Sequence, residues 1–129
     1  MPPRTLTLAT LPETFAVCRL GPDEPIPDWA LTASSFLSLT RTTDELSIVC
    51  TESAVPDEIR REGDWRALKV DGLLDFAETG ILASLATPLA DAGVSVFAIS
   101  TFDTDYLLVK QAVLDTVRSV LIGAGHRIA

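Results

Sequence analysis

Val94-Ser95-Val96-Phe97-Ala98-Ile99-Ser100-Thr101-Phe102-Asp103-Thr104-Asp105-Tyr106-Leu107-Leu108-Val109 places two β-rich runs on either side of a polar turn. The first run, Val94 to Ser100, is continuous enough to read as a strand buried on both faces. The second, Tyr106 to Val109, reads as its hairpin partner across a turn around Asp103. Immediately before them, from Glu78 to Ala92, Ile81, Leu82, Leu85 and Leu89 recur at helical spacing, and Gly93 supplies a C-terminal stop. Pro88 removes one backbone hydrogen bond inside that helix, so a kink or a restart is expected there. After the hairpin, Val113, Val117, Val120, Leu121 and Ala124 fall at i, i+4, i+7, i+8 and i+11, an amphipathic helix that Gly125 ends. Arg127-Ile128 can start a last strand, and Arg66 to Val70 alternates apolar and polar residues as a half-buried strand does.

From residue 66 onward the order is therefore β-α-β-β-α-β. Two right-handed crossovers around a hairpin give an α+β, ferredoxin-like unit: a four-stranded antiparallel sheet with both helices on one face. The first half reads differently. Leu6 to Ala9, Phe15 to Leu20, Phe36 to Thr40 and Leu46 to Thr51 are short β-rich runs, and Gly21 to Asp28 holds three prolines in a surface loop. Thr43-Asp44 marks a hairpin turn, and Pro56 to Glu62 a short helical turn. No long helix is expected there. Residues 1–65 thus read as a reduced version of the unit formed by residues 66–129, and two such small halves are expected to share one core.

The chain has 129 residues, 47% of them hydrophobic, and a mean hydropathy of +0.31, which argues against disorder. Its longest helical apolar stretch, Ile81 to Leu89, is far short of the ~18 residues a membrane span needs and contains Pro88. Without a secretory pattern at the N-terminus either, the reading is a cytoplasmic, soluble protein with no membrane partner. The net charge of −8 repels phosphate backbones. The one basic cluster, Arg60, Arg61, Arg66 and Lys69, is interleaved with Glu58, Glu62 and Asp64, so no nucleic-acid partner is expected. Cys18 and Cys50 sit in apolar contexts and read as reduced, buried packing residues.

Catalytic chemistry is poorly supplied. The single histidine, His126, has no G-x-S-x-G elbow to serve, the two cysteines form no zinc ligand set, and the glycines make neither a P-loop nor a dinucleotide fingerprint. Asp103 and Asp105 could hold a cation or act as paired carboxylates, but such a pair is more often a turn signal. The expectation is no enzyme, no cofactor and no metal.

Glu78-Thr79-Gly80-Ile81 followed by Thr87-Pro88-Leu89-Ala90-Asp91-Ala92-Gly93-Val94 resembles the ACT-domain signature, in which a glycine opens the first helix and Pro-Leu-Ala-x-x-Gly-Ile/Val closes it. Ala98 to Val109 is similar to the Ile-Ser-Thr-Phe/Tyr-x-x-Asp-x-x-Leu-Val segment of the ACT repeats in the CASTOR arginine sensors, aspartokinase regulatory regions and small bacterial proteins built from two ACT units. The match covers residues 66–129 closely and the first half in strand order only. The resemblance implies two side-by-side ACT-like units, a homodimer, a possible protein partner, and a regulatory module that senses a free amino acid where two ACT units meet. It also implies the site. Glu78, Thr79, Gly80 and Ile81 would form the helix-opening loop, and Thr101, Phe102, Thr104 and Asp105 the strand-end group, with Asp105 matching the carboxylate that meets the ligand's α-amino group. The chain departs at Asp103 and Thr104, where the arginine-sensing relatives carry bulkier residues, so arginine itself is not implied.

The residues support a receptor for a zwitterion on their own chemistry. A helix N-terminus offers free N–H groups and partial positive charge to a carboxylate, Gly80 allows close approach, and Asp105 is a charged acceptor for an ammonium. From Val70 to Val109 there are six acids and no base, which favours a cationic or zwitterionic ligand over a phosphorylated one. Plainer roles stand beside these. Gly80 also suits a tight strand-to-helix turn, Glu78 a first-turn acid, Asp103 and Asp105 turn residues, and Phe102 a core or interface anchor. The corresponding alternative for the whole chain is a structural or interaction protein of the same fold without a ligand.

Overall fold

The N-terminal strand belongs to the C-terminal half of the chain. The computed structural model describes residues 5–32, 34–72 and 80–129. Their strands and helices are β1 (Thr7–Thr10), β2 (Phe15–Leu20), β3 (Ser38–Arg41), β4 (Leu46–Thr51), β5 (Arg61–Val70), α1 (Ile81–Asp91), β6 (Phe97–Ser100), β7 (Asp105–Lys110), α2 (Leu114–Gly123) and β8 (Arg127–Ile128). Two units emerge: Met1–Leu11 with Arg66–Ala129, and Pro12–Trp65. A division at 65/66 alone would leave β1 in the first half. It is drawn to the other unit because it pairs antiparallel with β5, Leu8 opposite Val70, and parallel with β8, Leu8 opposite Ile128.

In the larger unit the strand order is β6-β7-β5-β1-β8. Without β1 this is the expected β-α-β-β-α-β arrangement. With it the sheet has five strands rather than four and one parallel pair. Alternation along each strand sends Leu6 and Leu8, Leu68 and Val70, and Leu107 and Val109 to a single face. Ile81, Leu85 and Leu89 of α1 and Leu114, Val117 and Leu121 of α2 pack on that face, so both helices lie on one side of the sheet. Fully burying each such side chain contributes about 1.5–3 kcal/mol.

Both helices end in the same way. The Val94 N–H donates to Leu89 O at 2.9 Å and the Gly93 N–H to Ala90 O at 3.0 Å; the His126 N–H donates to Leu121 O and the Gly125 N–H to Ile122 O, each at 3.0 Å. These are Schellman caps, which need a left-handed residue that Gly93 and Gly125 provide. Pro88 stays inside α1 without ending it.

In the smaller unit the order is β3-β4-β2-β5, all antiparallel. Strand for strand this repeats the order of the larger unit with β1 left out, and short 3-10 turns at Asp28–Leu31 and Glu52–Ala54 stand where the helices would be. Among the described residues, one cluster of buried side chains lies in each unit. The smaller cluster is built on Ala16, Cys18, Leu46, Ile48 and Cys50, with both cysteines free and buried. The helical turn expected over Pro56–Glu62 is only a turn closed by the Ile59 N–H on Pro56 O at 3.1 Å, because Arg61 and Glu62 are taken up by β5 against β2. A bulge in β5 follows, where the two-residue step from Phe15 to Val17 in β2 is matched by a three-residue step from Trp65 to Glu62. Asp64 there has φ 63°, and its N–H donates to Glu52 Oε1 at 3.0 Å.

Candidate functional site

The turn between β6 and β7 is held by its threonines and not by its aspartates. The Thr101 N–H donates to Thr104 O at 2.8 Å, the Thr101 hydroxyl to the same carbonyl at 3.0 Å, and the Thr104 N–H approaches Thr101 Oγ1 at 3.3 Å. Thr104 is buried, and its own hydroxyl donates to Val70 O at 2.7 Å. Val70 is the last residue of β5. This bond therefore fixes the hairpin to the edge of the sheet at which β5 ends and the chain runs on toward α1.

Thr104 was expected to face a ligand, and its donor is committed to Val70 instead. Asp105 opens β7 opposite Ser100 and is half-buried. Asp103 is exposed at the tip. Neither carboxylate accepts a hydrogen bond among the described residues. Phe102 is 80% exposed, so it is no core anchor.

At the start of α1, Gly80 is the N-cap with φ 78°, and no side chain caps the helix. Its carbonyl accepts the Ser84 N–H at 2.9 Å. A Cβ built on Gly80 would meet nothing within 4 Å among the described residues beyond its chain neighbours. The first-turn N–H groups of a helix lack intrahelical acceptors, and with glycine at the cap the side-chain acceptor is missing too. The Ile81 side chain packs in the core, which leaves its N–H as the group it can offer. Glu78 and Thr79 lie outside the described residues.

The arrangement offers donors and partial positive charge at a helix end, and a half-buried carboxylate at a strand end of the same unit. Those are the two complements of a zwitterion. Two features carried no sequence signal as sites. His126 is buried with both ring nitrogens engaged, Nδ1 by the Leu6 N–H at 3.2 Å and Nε2 by Ser84 O at 3.1 Å. Arg19 and Arg60 face each other beside a cleft in the smaller unit. Each depends on contacts between segments far apart in the chain, which local patterns do not encode.

No helix among the described residues is long and apolar enough to cross a membrane. Residues 60–122 match the ACT domain family, and residues 13–58 match a family described as an N-terminal domain. Over 58 residues the chain is 43% identical to the cytosolic arginine sensor for mTORC1 subunit 1 of Homo sapiens, covering 44% of this chain and 18% of the sensor. The chain thus spans a small part of that relative. Among solved structures, protein Atu0741 from Agrobacterium tumefaciens is similar with a TM-score of 0.93 at 38% identity, over 98% of this chain and 94% of its own. The ligand-free regulatory subunit of aspartate kinase from Thermus thermophilus shares the fold, with a TM-score of 0.62 at 12% identity over 88% of this chain and 93% of its own.

Proposed function

This chain belongs to the ACT-domain family, and from that premise we propose that it is a regulatory module, without catalytic activity of its own, that senses a free amino acid. The observation that carries the reading is the Thr104–Val70 hydrogen bond, which holds the β6–β7 turn at the end of β5, while the Asp105 carboxylate has no donor among the described residues. The ligand's α-carboxylate takes the first-turn N–H groups of α1 beside Gly80, and its α-ammonium takes Asp105. Thr101 and Phe102 form the adjoining wall, and Glu78 and Thr79 complete the helix-opening loop. The likeness to a protein named as a cytosolic arginine sensor supports an amino acid as the ligand class and the cytoplasm as the place of action.

The site works at an interface between two ACT units, which a homodimer supplies, and Pro12–Trp65 serves as a reduced ACT-like unit. Occupancy is passed on through that assembly or to a protein partner. Thermal shift against the twenty amino acids tests the reading. A ligand at 100 times its dissociation constant stabilises the fold by ~2.7 kcal/mol. A shift with one or a few amino acids is expected, and no shift with any would leave a structural protein whose pocket has been lost. Light scattering at micromolar concentration should give twice the chain mass of 13.8 kDa; a monomer would remove the dimer from the proposal.

A further inference from the structure

Cys18 and Cys50 stand on neighbouring strands of the smaller unit, on the same face of its sheet. In the β2–β4 register Ala16 is opposite Cys50 and Cys18 opposite Ile48, so the cysteines are diagonal neighbours. Both belong to that unit's buried cluster. Diagonal side chains remain within reach of each other, and the two thiols share a hydrogen bond. Their surroundings make the two sulfurs unequal. The hydrogen bond from Cys50 holds the Cys18 pKa below the ordinary cysteine value; burial and Glu52 oppose this, and the Arg61 guanidinium adds to it. Arg61 is the β5 residue opposite Cys18, and its Nη1 is held by Val55 O at 3.1 Å and Pro56 O at 3.3 Å. The Cys50 thiol is pushed up by the same hydrogen bond and by burial. Cysteine attacks as the thiolate, which makes Cys18 the nucleophile of the pair and Cys50 its partner. Only 1% and 3% exposed, the sulfurs are open to a small neutral oxidant and closed to a bulky disulfide.

We infer that Cys18 and Cys50 form a peroxide-reactive dithiol, which closes a reversible disulfide between β2 and β4. The Cys18 thiolate attacks one oxygen of the peroxide. The O–O bond breaks, the S–O bond of a sulfenic acid forms, and the departing hydroxide takes the proton that Cys18 gave up, leaving as water. Cys50 then attacks the oxidised sulfur. The S–S bond forms, the S–O bond breaks, and the hydroxyl leaves with the Cys50 proton as a second water. Two thiols are thereby oxidised and one peroxide is reduced to two waters. Diagonal neighbours have Cα atoms about 7–8 Å apart, whereas a disulfide spans ~4.4–6.8 Å. Closing the bond must therefore draw β2 and β4 together at this point, and a bond under such strain is readily reopened by a thiol reductant. The pair lies in the Pro12–Trp65 unit and does not depend on the amino-acid reading above.

Hydrogen peroxide added to the reduced, folded full chain tests the inference, with intact mass and thiol counting after denaturation as the readout. The parent chain should lose two hydrogens and both thiols together, within one chain, and dithiothreitol should restore them. Cys50→Ser keeps a hydroxyl donor beside Cys18 and should stop at one added oxygen, a sulfenic acid that dimedone traps on unfolding. Cys18→Ser should react with peroxide about tenfold more slowly than Cys50→Ser, or slower still. The first readout needs no substitution, so it stands whatever the variants do to folding. Thiols that survive peroxide until the chain is denatured, added oxygens without a disulfide in the parent chain, a disulfide joining two chains, or equal rates in the two serine variants would overturn the assignment.

Discussion

His126 Nε2 lies 3.1 Å from Ser84 O, the acceptor that Pro88 leaves vacant one helical turn on. Proline has no N–H, so Ser84 O lacks its i+4 donor inside α1. The imidazole replaces it. Because Nδ1 accepts the Leu6 N–H at 3.2 Å, Nε2 carries the ring proton and donates to Ser84. One buried side chain thereby satisfies a donor near β1 and an acceptor in α1, and the Schellman cap of α2 sets it in place.

His126→Ala should leave both backbone groups unpaired, at roughly 1–3 kcal/mol for each buried group. Pro88→Ala returns an N–H that can reach Ser84 O. In the Pro88→Ala background, His126→Ala should therefore cost measurably less. A double-mutant cycle by urea denaturation reads the coupling, and equal costs in the two backgrounds would contradict this account of the histidine.

Gly80→Ala isolates backbone strain. With φ 78° and nothing among the described residues to meet a Cβ beyond its chain neighbours, the variant should lose about 1–2 kcal/mol from the left-handed conformation alone. Gly80→Asn should lose less, since asparagine tolerates that region. Melting temperatures that rank alanine below asparagine would agree; equal values would place the loss elsewhere.

Glu13 gives the smaller unit an acid-sensitive contact. Its carboxylate accepts the Ser35 N–H at 2.7 Å and the Ser35 hydroxyl. Slight burial pushes its pKa up, but the hydrogen bonds from Ser35 outweigh this and hold it below the ordinary glutamate value. A carboxyl whose folded pKa is depressed contributes stability above its unfolded pKa and loses it as pH falls through the folded one. Glu13→Gln should thus be less stable than the parent chain near neutrality, and the gap should close on the acid side of the carboxylate range. Stability curves for both proteins across that range check it; a gap constant with pH would refute the assignment.

Much of the fold could be read from residues because the signals were local. The Val-Phe-Ile run before Thr101, the helical spacing from Val113 to Leu121, and the glycines at 93 and 125 each specify a backbone choice within a few residues. What escaped was set by partners far along the chain. Leu6 and Leu8 look like any edge strand until Val70 and Ile128 arrive beside them. The helical turn expected over Pro56–Glu62 loses Arg61 and Glu62 to the strand because they pair with β2, and Glu52 secures the bulge that follows. For the site, motif likeness pointed to Thr104 as a ligand group, and no pattern of residue types announces a hydroxyl bonded to the Val70 carbonyl. His126 was equally silent, because both its partners are backbone atoms.

The sharpest separation of roles lies within the β6–β7 turn, on the amino acid found by the thermal-shift screen. If Asp105 meets its ammonium, Asp105→Ala removes a charge-assisted hydrogen bond of roughly 1.5–3 kcal/mol, and affinity should fall about ten- to a hundredfold. The ligand-free protein should melt unchanged or higher, since that carboxylate accepts no hydrogen bond among the described residues and lies two residues from Asp103 in a chain of net charge −8. Thr104→Val should do the reverse. It keeps the side-chain volume but leaves Val70 O without its buried donor, so stability should fall by about 1–3 kcal/mol, with any loss of affinity following the loosened hairpin. Asp103→Ala, exposed at the tip, should change neither property much. Calorimetric titration and melting of the three variants resolve the pattern. An Asp105→Ala protein that binds like the parent chain while melting well below it would make Asp105 a structural residue and move the ammonium site elsewhere.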